Sequence, residues 1–260
     1  MITGSQFETS FTHSATRPHF RLIGTRLWSS RFLARDEQRA LEEAVSSSRP
    51  VRAGSDLVSE GDGTDSLFII VEGWACRYTT TTDGAHQISA LLVPGDIVNL
   101  DALLLDRLDY SVRTLTEAKV VALPRTLILA LGAQYTGIAR TFTWLALVEN
   151  VALSKLAHSL GRHSARERIA HLLCELSMRL NGEHENESRF DCPLTQEQFA
   201  DALGLTTVHV NRTIQQLRKD GLIVTGSRMM ILPDVGELRK VGGFDPRYLH
   251  MDQPISPKFF

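Results

Sequence analysis

The side chains with the clearest chemistry lie in LTQEQFADALGLTTVHVNRTIQQLRKDGLI, residues 194–223. It holds two short amphipathic runs separated by a Gly-Leu break. Projected at 100° per residue, Val210, Ile214 and Leu217 of the second run fall on one side. Asn211, Gln215, Val208 and Arg212 fall on the other, with Thr207 at its edge. A face meant only for solubility would more often carry Glu and Lys. This one offers hydrogen-bond donors and acceptors, an arginine and an exposed valine. Those groups suit base edges and the thymine methyl in the major groove of DNA.

Two helices must position these groups. Thr195 is placed to cap the first, with Gln198 three residues on, and Phe199, Ala202 and Leu203 form its apolar face. Gly204 ends it. Thr206 caps the second, which extends to about Lys219. Helix, short turn and helix with glycine in the turn is a helix-turn-helix pattern. Beyond Gly221, the apolar runs 222–224 and 229–232 flank Thr225-Gly226-Ser227-Arg228. They read as a hairpin, a wing with Arg228 near its tip. From Thr206 to Arg228, Arg212, Arg218, Lys219 and Arg228 face only Asp220, a local charge of +3. That is the patch phosphate contacts require. Base reading is therefore expected from Thr207, Val208, Asn211 and Arg212. Phosphate contacts are expected from Thr195, Thr206, Gln215, Arg218, Lys219 and Arg228. The partner is double-stranded DNA.

Composition bounds the rest. The chain has 260 residues and a net charge of −2, so nucleic-acid binding must come from a local patch. No apolar run approaches the roughly 18 residues of a membrane span, and the N-terminus lacks the apolar core of a signal peptide. Cys76, Cys174 and Cys192 are far apart and odd in number, which suits a reducing cytoplasm. His171 and Cys174 share a helix face, but two ligands are too few for a metal site. Cys192, just before the helix pair, reads as an inert thiol ahead of a redox-sensitive one. No nucleophile triad, P-loop or paired-carboxylate signature is present. No cofactor and no enzymatic activity are expected.

Upstream, residues 28–48 carry helical spacing. From 51 to 123, short apolar runs alternate with glycine turns, and "TTTTDGAHQ" reads as a hairpin. This is the texture of a β-roll of jelly-roll type. A short helix follows over 125–132 and a long one over 135–160. Ile138, Phe142, Leu145, Val148, Ala152, Leu156 and Leu160 form a stripe on the long helix, with further apolar residues off it. A helix apolar on more than one side must be covered on more than one side. Ile138, Phe142, Leu145, Ala152, Leu156 and Leu160 are accordingly expected at a homodimer interface. Gly161-Arg162-His163 breaks the helix, and Ser164 with Glu167 forms a capping box for the next.

The expected class is α+β. Residues 1–25 form a flexible lead, 26–134 the β-roll with flanking helices and 135–161 the dimerisation helix. Residues 162–235 form the winged helix-turn-helix and 236–260 a C-terminal tail.

A β-roll, a long helix and a winged helix in this order resemble the Crp/Fnr family of bacterial transcription regulators. The resemblance covers roughly residues 30–235. It rests on "VPGDIVNLDALL" (93–104), "RERIAHLLCEL" (166–176) and "NRTIQQLRKDGLI" (211–223). It implies a cytoplasmic regulator whose roll senses a signal, whose long helix dimerises and whose winged helix binds a palindromic operator. An activator would also meet RNA polymerase, and a small-molecule effector of unknown identity is compatible with the roll. Nucleotide-responsive members place Gly-Glu and Arg-Ser or Arg-Thr pairs in the roll, the arginine neutralising the cyclic phosphate. Here those positions hold Asn99-Leu100 and Leu108-Asp109, so the nucleotide pocket is degenerate. The N-terminus lacks the cysteine cluster of iron–sulfur members, and residues 97–100 lack a haem ligand. Relatives often carry Glu where Val208 stands, so the operator should differ at that base pair. The alternatives are a cyclic-nucleotide-responsive regulator, or a ligand-binding or scaffold module acting on a partner protein.

Overall fold

The computed structural model describes residues 27, 30–45, 47–183 and 186–251. The expected lead, residues 1–25, lies outside them. Helix α1 (Arg35–Ala44) precedes seven strands: β1 (Arg49–Val51), β2 (Asp56–Val58), β3 (Ser66–Glu72), β4 (Ala75–Thr80), β5 (His86–Leu92), β6 (Ser111–Thr114) and β7 (Ala118–Pro124). They form two antiparallel sheets, ordered β1-β7-β3 and β2-β6-β4-β5, with β4 and β5 joined as the expected hairpin. Alternating side chains fill the space between the sheets. Ile70, Ala75, Val98, Leu108, Val112 and Val120 form that inner core.

Helix α2 (Arg125–Gln134) leads into α3 (Thr136–Arg162), which is followed by α4 (Ala165–Asn181). Then come β8 (Ser188–Asp191), α5 (Gln196–Leu203), α6 (Thr207–Lys219), β9 (Val224–Thr225), β10 (Met229–Leu232) and α7 (Val235–Gly242). A 3-10 turn, Pro246–Leu249, ends the described fold. The α+β class and the order of roll, long helix and winged helix match the sequence expectation.

Several local expectations change. The first helix is shorter than the spacing over 28–48 suggests. Phe32 and Leu33 precede it and Val45 is its C-cap. Gly161 and Arg162 belong to α3, and the break falls at His163. The tail expected over 236–260 begins inside α7 and is folded through Leu249, with Leu238, Phe244, Tyr248 and Leu249 buried. Short segments of mixed polarity hid these elements from periodicity.

The largest correction concerns α3. Ile138, Phe142 and Leu145 do not face outward. They are buried against Leu27, Leu41, Leu67, Ile69, Leu123 and Ile128 of their own roll and flanking helices. Ala152 and Leu156 line a cavity of about 150 Å³ shared with β5, α4 and α5. Leu160 packs toward the α5–α6 turn, its Cδ2 3.4 Å from where a Cβ on Gly204 would lie. Ile138, Phe142, Leu145 and Val148 are thus spent inside the protomer, while Ala152, Leu156 and Leu160 stay half-buried. What α3 exposes is a second face, including Thr143, Ala146, Leu147, Asn150, Leu153 and Ala157.

The N-terminus of α3 is fixed by Glu37 of α1, whose side chain is buried. Glu37 accepts 2.8 Å hydrogen bonds from the Ala34 and Gly137 amides. One carboxylate therefore satisfies an amide at the start of each helix, where negative charge is favoured. Gly137 makes the approach possible. A Cβ there would lie 2.1 Å from Glu37 Oε2 and 2.3 Å from the Phe32 carbonyl oxygen. Alanine is the better helix former by about 1 kcal/mol, but the clash outweighs this. Gly137→Ala is expected to destabilise the chain by roughly 3 kcal/mol, read as a lowered urea midpoint at unchanged slope.

Candidate nucleic-acid interface

The helix pair forms as its local signals require. Thr195 Oγ1 accepts from the Gln198 amide at 3.1 Å while Gln198 Oε1 accepts from the Thr195 amide at 2.9 Å. Thr206 Oγ1 accepts from the His209 amide at 3.2 Å. Gly204 ends α5 in the left-handed region at φ 60°, where a side chain would be strained. Both threonine hydroxyls expected on phosphates thus cap helices, and both residues remain exposed at helix N-termini.

On α6, Val210 and Leu217 are fully buried, Thr213 joins them and Ile214 is half-buried. Thr213 was not foreseen as inward. Its hydroxyl donates to the His209 carbonyl at 2.8 Å, which lets it sit under the helix. Thr207, Val208, Asn211, Arg212 and Gln215 all lie on the exposed side, with Val208 at 77% exposure. An isolated valine so exposed at the start of a helix has no packing role in the chain. Arg218 and Lys219 end the same helix, and Arg218 donates to Gln215 Oε1 at 3.2 Å. The single carboxylate of this patch, Asp220, pairs with Arg166 of α4 at 2.5 Å and accepts from Gln216 at 2.7 Å. The Arg166 guanidinium holds it below the usual carboxylate range. The patch is therefore more cationic than residues 206–228 alone suggest, because α4 neutralises its one acid.

The wing is a three-stranded sheet, β8-β10-β9. Strand β8 was missed, being four residues of alternating burial beside an acidic stretch. Arg228 sits at the turn with φ 58°, a left-handed conformation uncommon outside glycine. Its carbonyl accepts from the Cys192 amide at 2.8 Å, and its guanidinium lies 3.8 Å from Asp191. The side chain is exposed beyond the sheet. Cys192 itself is buried, and burial pushes its thiol up to about 11. Cys76 is pushed up to about 11 and Cys174 to about 12 by the same cause. All three are protonated at neutral pH, which opposes a thiolate switch. His171 turns Nδ1 to the Gly242 carbonyl and Nε2 to the Tyr248 hydroxyl, not to Cys174.

Arg168 of α4 holds the helix pair to α3. Its Nη2 donates to the Leu160 carbonyl at 2.7 Å and its Nε to the His163 carbonyl at 2.9 Å, both at the end of α3. Its Nη1 donates to the Leu203 carbonyl at 2.8 Å, at the end of α5. A cation belongs where two helix C-termini converge. On the roll side, Arg179 of α4 pairs with Asp96 and Glu175 and donates to the Leu91 carbonyl at 2.8 Å. Gln87 donates to the Asp201 carbonyl of α5 at 2.7 Å. The first helix of the pair, α5, is thus referenced to both the long helix and the roll.

Comparison with known proteins agrees with this arrangement. A model of the cyclic nucleotide-binding domain matches residues 48–156, and a model of the Crp-like helix-turn-helix domain matches residues 167–241. The transcriptional activator protein FnrL of Cereibacter sphaeroides is 31% identical over 214 residues, covering 80% of this chain and 86% of that protein. A probable transcriptional activator of Rhizobium leguminosarum bv. viciae is 28% identical over 194 residues, covering 74% of this chain and 80% of that protein. Among solved structures, FixK2 from Bradyrhizobium japonicum superposes with a TM-score of 0.68 at 23% identity. It covers 75% of this chain and 96% of that one, a likeness of fold.

Removing the Arg168 head group leaves three carbonyls at two helix ends without their donor. Arg168→Met is expected to cost about 3 kcal/mol of stability in denaturant unfolding. Gly137→Ala and Arg168→Met act at opposite ends of α3 with no shared partner, so their effects should add to within about 0.5 kcal/mol.

Proposed function

Because the chain belongs to the Crp/Fnr family of transcription regulators, whose members bind DNA through the helix-turn-helix and are not enzymes, we propose how this one reads its site. It binds a palindromic operator as a homodimer, with α6 in the major groove of each half-site and the wing on the flanking backbone. The observation that carries this reading is the outer face of α6. Thr207, Val208, Asn211 and Arg212 are all exposed there, on a helix whose opposite side buries Val210, Thr213 and Leu217. They are the base-reading set. Thr195, Thr206, Gln215, Arg218, Lys219 and Arg228 surround them and contact phosphates.

The dimer interface lies on the face of α3 that the protomer leaves uncovered. Thr143, Ala146, Asn150, Leu153 and Ala157 follow a three–four spacing, flanked by Leu147 at 62% exposure. That is the spacing of a two-helix seam, with Asn150 as a polar register position. Paired along this seam, two recognition helices would stand about 34 Å apart, one turn of DNA. Because FnrL and the Rhizobium relative are named activators, contact with RNA polymerase is part of the reading. So is a cytoplasmic location. Among the described residues no helix is long and apolar enough to cross a membrane.

Operator selection from random DNA tests the whole. Arginine bidentate to guanine is worth about 1–3 kcal/mol of discrimination. Arg212→Ala should therefore weaken cognate binding roughly ten- to a hundredfold and relax preference at one base pair per half-site. Lys219→Ala should weaken all sequences alike and reduce the slope of log K against log salt by about two for a dimer. Equal loss on every operator variant for Arg212→Ala would move base reading to Asn211 and Gln215. Leu147→Glu should give a folded monomer in sedimentation that has lost operator affinity. A mutant that stays dimeric removes the seam.

A further inference from the structure

The roll holds a buried cation, and the long helix supplies its anion. Arg77 of β4 is 6% exposed. Its Nη1 forms an ion pair with Glu149 of α3, and its Nη2 donates to the Val98 carbonyl at 3.0 Å. The guanidinium carbon lies 4.3 Å from the centre of the Tyr110 ring, whose hydroxyl is hydrogen-bonded to Asp101. Nearby, Asn99 is fully buried and spent on the β3 backbone. It accepts from the Phe68 amide at 2.9 Å and donates to the Ser66 carbonyl at 3.0 Å. Leu108, where resemblance to nucleotide-responsive members would put an arginine, is 1% exposed and part of the apolar core.

A guanidinium removed from water requires an anion and in-plane acceptors. Arg77 has Glu149 and the Val98 carbonyl on its two terminal nitrogens, plus an aromatic face, while its buried Nε has no hydrogen-bond partner among the described residues. We propose that Arg77, oriented by its hydrogen bond to the Val98 carbonyl and by the Tyr110 ring, is a carboxylate-binding site of the roll, and that Glu149 is its tethered ligand. Because Glu149 stands midway along α3, occupancy of this site docks the long helix on the roll without a diffusible signal. Tethering gives the carboxylate an effective concentration in the millimolar range or above. A free anion therefore does not displace it under ordinary conditions.

The test removes the tethered group and supplies it from solution. In the full-length Glu149→Ala variant, the melting temperature should fall by about 10 °C in sodium chloride. It should rise again in sodium acetate or formate of equal ionic strength, at about 50–100 mM. The unaltered chain should melt alike in both salts, as should the Arg77→Met/Glu149→Leu double variant, which has no site to fill. Equal melting of Glu149→Ala in acetate and chloride overturns the proposal. If Glu149→Ala fails to fold in chloride, refolding is compared in the two salts. Recovery in acetate alone supports the site, and recovery in neither overturns it. A second readout rests on the DNA-binding reading above. Operator affinity of Glu149→Ala should drop at least tenfold in chloride and return in acetate. If melting responds to acetate while DNA binding is absent in every variant and in the unaltered chain, the operator reading fails and the carboxylate site stands.

Discussion

The long helix α3 is held at both ends by charges of the sign each end prefers. At its N-terminus the Glu37 carboxylate accepts from Gly137, and at its C-terminus the Arg168 guanidinium covers the Leu160 and His163 carbonyls. Each group also holds a second helix. Glu37 starts α1 on the roll side, and Arg168 ends α5 on the DNA side. The roll and the helix-turn-helix are therefore measured from one rod, roughly 40 Å long at 1.5 Å per residue. The buried residues Ile138, Phe142 and Leu145 fix that rod's rotation against the roll. With position and rotation both set, the exposed face of α6 has a defined direction.

Much of this order is legible in the sequence because its signals are local. The caps at Ser164, Thr195 and Thr206 are written within four residues of the amides they serve. The outer face of α6 follows from the period of one helix. What is not legible is which stripe of α3 turns where. Periodicity shows that Ile138, Phe142 and Leu145 share a face but not that their own roll covers it. Strand β8, helix α7 and the Pro246–Leu249 turn are too short and too mixed in polarity for a period to register. Nothing local in the sequence marks Arg77, Arg168 or Arg179 as buried joints. Their partners at Glu149, Leu203 and Asp96 lie 72, 35 and 83 positions away, beyond any local rule.

The buried arginines divide the work between them. Arg77 joins the roll interior to α3, and Arg179 joins the P-G-D turn of the roll to α4. Both are salt bridges largely withdrawn from solvent, so each fixes an arrangement more than it adds stability. Movement of the winged helix against the roll would have to break the Arg179–Asp96 pair and the Gln87–Asp201 hydrogen bond together. This sets a threshold for rearrangement that a merely apolar contact between the same surfaces would lack.

Arg168 recognises peptide carbonyls, not side chains. The acceptors it uses are present whatever residue occupies positions 160, 163 or 203. Substitution along the outer face of α6 leaves the joint that aims the helix chemically unchanged. The chemistry of that face is thereby uncoupled from the architecture that holds it. Side chains on that face can change while the mount stays as it is, because the mount is made of backbone.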